Sequence, residues 1–140
     1  MIILDTNVLS ELIRPKPSEP LQDWVAKQVV STLFTTTITH AEMLLGAVPL
    51  PSGKRRSSLS IAIADMFDLD FSGRLLPFDS RAAREFAAVV AGRRQIGRPI
   101  AQLDAQIASI AKSQGASLAT RNTHDFQGCG LHLIDPWEPL

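Results

Sequence analysis

The chain has 140 residues, of which 45% are hydrophobic and 20% charged, with 14 lysines and arginines against 14 aspartates and glutamates. That size and balance suit one globular domain over residues 1–140 and exclude a disordered chain. They also exclude a uniformly basic nucleic-acid binder, so any nucleic-acid contact must come from a local patch.

A single cysteine, Cys129, rules out an internal disulfide and a cysteine-built zinc site. It reads as a small buried hydrophobe in a chain that tolerates a reducing compartment. No apolar run approaches the roughly 20 residues that cross a bilayer. The opening Met1-Ile2-Ile3-Leu4-Asp5 has no basic stretch and is not read as a secretory signal. A cytoplasmic protein without membrane association is expected.

Ile2-Ile3-Leu4 is a short apolar run consistent with a buried strand. A short helix is predicted from about Asn7 to Leu12. The proline-rich stretch from Arg14 to Pro20 is a loop. Ser18 is placed to cap a second helix with Pro20 in its first turn, carrying Leu21, Trp24, Val25 and Gln28. Leu33-Phe34-Thr35-Thr36 is rich in strand formers. Thr39-His40-Ala41-Glu42 has the capping-box form ahead of an apolar helix.

A longer helix is predicted from about Lys54 to Phe67, after a loop at Pro49 to Gly53. Leu75-Leu76-Pro77-Phe78 reads as a third strand. Asp79 or Ser80 caps a helix through Val90, with Gly97 and Pro99 marking the exit. Ala101 to Gln114 reads as a helix stopped by Gly115. Ser117 to Thr120 is a fourth strand, and Leu131 to Ile134 a fifth, closed by Pro136. Strands alternating with helices imply an α/β fold, a mostly parallel sheet of about five strands covered on both faces.

In such a sheet, ligands bind beyond the carboxyl ends of the strands. Asp5 follows the first strand, Glu42 lies just after the second, and Asn122 and Asp125 follow the fourth. Asp104 lies on the helix before that strand. Its helical neighbours are Ile100, Ala101, Ile107, Ala108 and Ala111, all apolar, with no lysine or arginine at those spacings. A carboxylate there is costly unless something neutralises it. Asp5 alone has a structural reading as a helix cap and Glu42 one as a capping-box partner, whereas Asp104 alone reads as functional. Together they suggest a cation site. Oxygen ligands without histidine or cysteine suit Mg2+ or Mn2+ better than zinc. The reaction class this implies is metal-assisted phosphodiester hydrolysis.

Four segments resemble the motifs of PIN domains, in that family's order and over nearly the whole chain. They are Met1 to Ser10 with Asp5, Thr39 to Gly46 with Glu42, Leu103 to Ala108 with Asp104, and Ala119 to Phe126. The resemblance is closest to the VapC and FitB group of toxin-like PIN proteins. It implies a three-layer α/β/α sandwich and a Mg2+- or Mn2+-dependent endoribonuclease, often directed at structured RNA such as tRNA. It also implies a homodimer or larger complex and a cognate antitoxin protein whose tail lies over the active-site groove. The antitoxin complex commonly represses its own operon, so operator DNA is met only through that partner.

By the same resemblance, Asp5, Glu42 and Asp104 are the catalytic, metal-binding carboxylates. Thr6, Asn7 and Thr120 stand behind them, with Thr6 and Asn7 orienting Asp5. Asn122 departs from relatives that carry an aspartate there; it brings an amide oxygen but no charge. Asp125, three residues on, is the compensating candidate, which implies one firm metal position and a weaker second.

Asp79 reads as a cap, and His40, His124 and His132 show no ligand spacing. Lys54-Arg55-Arg56, and Arg93-Arg94 with Arg98, read as solvated helix faces or as phosphate contacts to RNA. Arg121, directly after the fourth strand, is a further phosphate candidate. Trp24 reads as core, and Trp137 as an anchor for the C-terminal tail. Two competing functions are an aspartate-dependent phosphohydrolase built on Asp5 and a catalytically inactive PIN-like binding module. The first is weakened because Asp5-Thr6-Asn7 has no second aspartate two residues on, the second by the intact acids.

Overall fold

In the computed structural model, which describes residues 1–139, five short strands lie side by side and all run parallel. They are β1 (Ile2–Leu4), β2 (Leu33–Thr36), β3 (Leu75–Leu76), β4 (Ser117–Ala119) and β5 (Leu133–Ile134), in the order β3-β2-β1-β4-β5. The expectation of a mostly parallel sheet therefore holds in its strictest form. Ile2 and Ile3 pair with Leu33 and Phe34 on one side, and Ile2, Ile3 and Leu4 with Ser117, Leu118 and Ala119 on the other.

Seven α-helices connect and cover the strands: α1 (Thr6–Leu12), α2 (Glu19–Ala26), α3 (Thr37–Ala47), α4 (Lys54–Asp65), α5 (Ser80–Gln95), α6 (Gln102–Ser113) and α7 (Thr123–Phe126). A 3-10 turn (Val30–Thr32) leads into β2, and a π-helical turn (Met66–Asp70) extends α4. Successive strand residues face opposite ways. Leu4 and Ala119 thus join Val8, Leu21, Trp24, Met43 and Phe67 in one core, beneath α1 to α4. Ile3 and Leu118 join Val89, Ile107, Ile110 and Phe126 in the other, beneath α5 to α7. Two cores around one sheet make the three-layer sandwich.

The element boundaries differ from the sequence reading in four informative places. The helix after β2 starts at Thr37, not near Glu42, because Thr36 caps it: its hydroxyl accepts from the Thr39 N–H at 3.1 Å. The capping-box reading of Thr39 and Glu42 is thereby corrected, and Glu42 lies in the second turn with its side chain free for other work. β3 stops at Leu76, since Pro77 has no N–H to give the ladder. α5 runs on to Gln95, past Val90, because the buried Val89 and Arg93 hold it against the core despite Gly92. The short α7 has no periodic signal and was absent from the sequence reading.

Asp79 caps α5 as expected, its Oδ1 accepting from the Ala82 N–H at 3.0 Å. Trp24 and Cys129 are buried. Leu118, completely buried at the centre of the α5–α6 side, is expected to be a stability hot point. Leu118→Ala should cost about 2–5 kcal/mol in urea unfolding, the range for a leucine truncated in a core that cannot collapse around the gap. A loss under 1 kcal/mol would show that the sheet face is loosely filled.

Candidate functional site

Because every strand runs the same way, the residues following β1, β2 and β4 emerge along one edge. The chain leaves β1 toward β2 and β3 on one side, and later fills β4 and β5 on the other. The crevice at that reversal is where open α/β sheets bind ligands. A cavity of about 380 Å³ lies there, lined by Asp5, Thr6, Asn7, Ser10, Glu42, Asp104 and Asn122.

Asp5 leaves β1 with its N–H donating to the Ala119 carbonyl at 2.9 Å, which continues the ladder to β4. The side chain is 5% exposed. Its Oδ1 accepts from the Thr6 N–H at 2.8 Å, so the helix-cap role is real. Its Oδ2 accepts from the Thr120 hydroxyl at 2.8 Å and the Asn7 side-chain amide at 3.3 Å. Asn7 also donates to Thr120 Oγ1 at 3.1 Å, and its own Oδ1 accepts from the Arg121 N–H at 3.1 Å. These bonds tie the end of β1, the start of α1 and the end of β4 around one carboxylate.

Thr6 acts differently from the sequence reading. Only its backbone N–H serves Asp5; its hydroxyl donates to Glu42 Oε1 at 2.8 Å and lies 3.0 Å from Thr39 Oγ1. Thr6 therefore orients two acids at once, one through the backbone and one through the side chain. The fully buried Thr39 and the cavity-lining Ser10 were missed by sequence reasoning. For Thr39 the available signal was the Thr36-Thr37-Ile38-Thr39 run, in which a strand-end threonine caps the next helix.

Asp104 sits in the first turn of α6, at the cavity mouth. Its apolar stripe is half right: Ile107, Ala108 and Ala111 are fully buried, but Ala101 is exposed. The cation missing from its own helix is present across the α5–α6 packing, where the charge of Arg93 favours ionised Asp104. Burial and the neighbouring charges of Asp5, Asp125 and Glu42 dominate, and they push the Asp104 carboxyl up from 3.8 to about 6. Asp5 is raised too, first by burial and then by repulsion from Glu42 and Asp125, while its bonds from Thr120 and Thr6 pull the other way. No resolved lysine or arginine forms an ion pair with any of these acids; the one ion pair among the described residues is Arg14–Glu11 on the surface.

Asn122 reaches the cavity, and its N–H donates to Thr120 Oγ1 at 3.1 Å. Asp125 is exposed on α7 and does not line the cavity wall, though its charge reaches Asp5 and Asp104. Among the described residues, no three acidic, imidazole or thiol side chains converge into a finished ion cage. The acids are spread over the cavity wall, as mutual repulsion requires. The basic candidates lie outside this cavity. Lys54 and Arg55 are exposed, Arg56 is half-buried, and the Arg121 guanidinium lies 5.0 Å over the Trp137 ring. The basic run on α5 is not one solvated face, since Arg93 is buried.

A second, larger and mostly apolar groove of about 780 Å³ opens beside the acids, between α1, α3 and α4. It shares Ser10 and Glu42 with the acidic cavity and is flanked by Arg14 and Arg55. The two therefore form one continuous surface, acidic at one end and greasy at the other.

A covered parallel sheet with oxygen donors gathered at its reversal point defines an acid-lined α/β/α domain. The PIN domain model matches residues 2–128, and the chain belongs to the PIN-domain family. It is 39% identical to a VapC ribonuclease of Sinorhizobium fredii over 99% of both chains. It is 35% identical to toxin FitB of Neisseria gonorrhoeae over 98% of this chain and 99% of that one. A FitAB complex bound to a DNA fragment contains a chain of the same fold, with a TM-score of 0.93 and 35% identity, covering 100% of this chain and 98% of that one.

A carboxyl that ionises less readily in the folded than in the unfolded chain adds stability at low pH and loses it as pH rises. Metal-free protein should therefore lose melting temperature as pH rises from 3.8 to about 6. Asp104→Asn should match wild type at the bottom of that window and exceed it above. Thermal melts in EDTA at successive pH values read this directly; parallel curves for the two proteins would show that Asp104 carries no such strain.

Proposed function

We propose that the chain is the ribonuclease toxin of a toxin–antitoxin pair, a divalent-metal-dependent endoribonuclease cutting phosphodiester bonds in structured RNA such as tRNA. The observation that carries this reading is the opening of Asp5, Glu42 and Asp104, from three separate elements, into one cavity at the carboxyl edge of the sheet. The family's VapC members supply the ribonuclease activity and its FitB member the toxin role.

The donor set fits Mg2+ or Mn2+. Only oxygen ligands are offered, and the repulsion that raises Asp104 is relieved by a divalent cation. Asp5, Glu42 and Asp104 would hold the ion, with Asn122 offering an amide oxygen and Asp125 serving a weaker second position. When bound, such an ion polarises a phosphate and favours ionisation of water. The chain's own work is orientation: Thr120, Asn7 and the Thr6 N–H hold the Asp5 oxygens, and the Thr6 hydroxyl holds Glu42. An aspartate-dependent phosphohydrolase is less well supported, since Asp5-Thr6-Asn7 carries no second aspartate two residues on to act as its acid–base partner.

The apolar groove suits the tail of a cognate antitoxin, with Arg14 and Arg55 at its rim and the acidic cavity at its end. An apolar tail ending in a basic side chain would cover both compartments and block the acids. Operator DNA is then met only through the antitoxin, and a homodimer or larger complex in the cytoplasm belongs to the same reading. Lys54, Arg55, Arg56 and Arg121 are proposed as contacts to RNA phosphates, which position a substrate without reading its sequence.

Total cellular RNA incubated with antitoxin-free protein tests the activity. Wild type with Mg2+ should give discrete products, EDTA should abolish them, and Asp5→Ala should reduce the rate by a factor on the order of 100 or more. Undegraded RNA with folded, metal-loaded wild type would instead favour the inactive binding module. In calorimetry, Thr120→Val should weaken Mn2+ binding about tenfold, the usual effect of removing a ligand's supporting hydrogen bond; unchanged binding would mean that Thr120 serves the fold alone.

A further inference from the structure

Arg93 is the one fully buried cation among the described residues, 4% exposed on the inner face of α5. It has no carboxylate within ion-pair reach, an arrangement that is costly unless the donors are used otherwise. Nε donates to the Arg98 carbonyl at 2.6 Å. One Nη donates to the Asp125 carbonyl at 2.6 Å and, weakly, to Cys129 Sγ at 3.6 Å. The side chain thus staples the end of α5 to the segment that follows β4.

That segment needs the staple. α7 has four residues, too few to persist as a helix by its own hydrogen bonds. Phe126 anchors one side of it in the core. Gly128, at φ 83°, lets the chain close onto α5, because a Cβ there would stand 2.8 Å from Ile96 Cδ1 and 3.5 Å from Arg93 Cδ. Arg98 clamps the same segment from outside, donating to the His124 carbonyl at 3.0 Å and to Gln127 Oε1 at 3.2 Å. The Asp125 charge is felt at both Asp5 and Asp104, so the place of α7 contributes to the field at the acids.

We propose that Arg93 is a positioning residue of the acidic site, fixing through the Asp125 carbonyl where α7 holds the Asp125 carboxylate relative to Asp5 and Asp104. This rests on the metal-dependent reading given above. It also accounts for an arginine where a neutral side chain would be cheaper to bury: the planar guanidinium fork points separate donors, Nε and one Nη, at carbonyls from two segments in a fixed geometry. By charge alone, Arg93 would repel a bound cation, so its removal should tighten binding if electrostatics were its whole role and weaken binding if position is.

The test is Mn2+ titration calorimetry on the full-length, antitoxin-free chain, with folding checked by circular dichroism. The proteins are wild type, Asp5→Ala, Arg93→Met, Asp125→Ala and the Arg93→Met/Asp125→Ala double variant. Arg93→Met is expected to weaken Mn2+ binding about tenfold. The double variant is expected to bind no more weakly than Asp125→Ala, because Arg93 acts through that residue. Equal or tighter binding by Arg93→Met, or losses that multiply in the double variant, would overturn the proposal. Should Arg93→Met fail to fold, Arg98→Ala decides, since it removes the outer clamp from a half-buried position while leaving the Arg98 carbonyl that Arg93 meets. A few-fold loss that vanishes in the Asp125→Ala background supports the staple, and unchanged affinity overturns it. Wild type that binds no Mn2+, or Asp5→Ala that binds it normally, would overturn the metal-dependent reading itself and Arg93's role with it.

Discussion

One buried carboxylate organises this end of the molecule. Asp5 sits at the carboxyl end of the central strand, almost wholly removed from water. A charge in that place must be met by donors, and it takes them from Thr6, Asn7 and Thr120. Satisfying Asp5 therefore fixes how the first helix leaves the sheet and how β1 and β4 end beside each other. The sheet's all-parallel register supplies the rest, since it delivers Thr120 to the same edge. Fold and site are here the same set of hydrogen bonds.

The second acid is held by the same residue that greets the first. Thr6 gives its backbone N–H to Asp5 and its side-chain hydroxyl to Glu42, so one residue orients both carboxylates. Asp104 is raised to about 6 first by its burial and then by the repulsion of Asp5, Asp125 and Glu42. A site of this kind stores repulsion in the empty protein and releases it on meeting positive charge. The cation supplied from within, Arg93, is turned to the task of holding backbone rather than neutralising an acid. The neighbouring apolar groove meets the acids at Glu42 and Ser10. One partner segment with an apolar body and a basic end could occupy both compartments, which ties control of the site to recognition of the partner.

Much of this is legible in the sequence. Ile2 to Leu4 reads as a buried strand from its apolar run, Leu33 to Thr36 from its strand formers, and Ser117 to Thr120 as a fourth strand that the structure ends at Ala119. Asp5, Glu42 and Asp104 stood out because carboxylates interrupt or adjoin apolar runs. Asp79 as a cap, and Trp24 and Cys129 as core, followed from local rules. The errors have two causes. Thr36 rather than Thr39 caps α3 because two local caps competed and the strand-end threonine prevailed. α5 outruns its predicted end, and Arg93 lies inside rather than out, because contacts from distant segments outweighed the local preference.

By itself, then, the sequence determined the alternation of strands and helices, the covered sheet and the acids worth attention, because hydrophobic period and capping chemistry are local properties. Only the tertiary structure decided which donors serve which acid, that Thr6 belongs to Glu42 as much as to Asp5, and that Asp125 hangs from α5 by an arginine. Those facts depend on segments 32 to 115 residues apart meeting at one edge, and no spacing within a chain records where two distant hydrogen-bonding groups will meet.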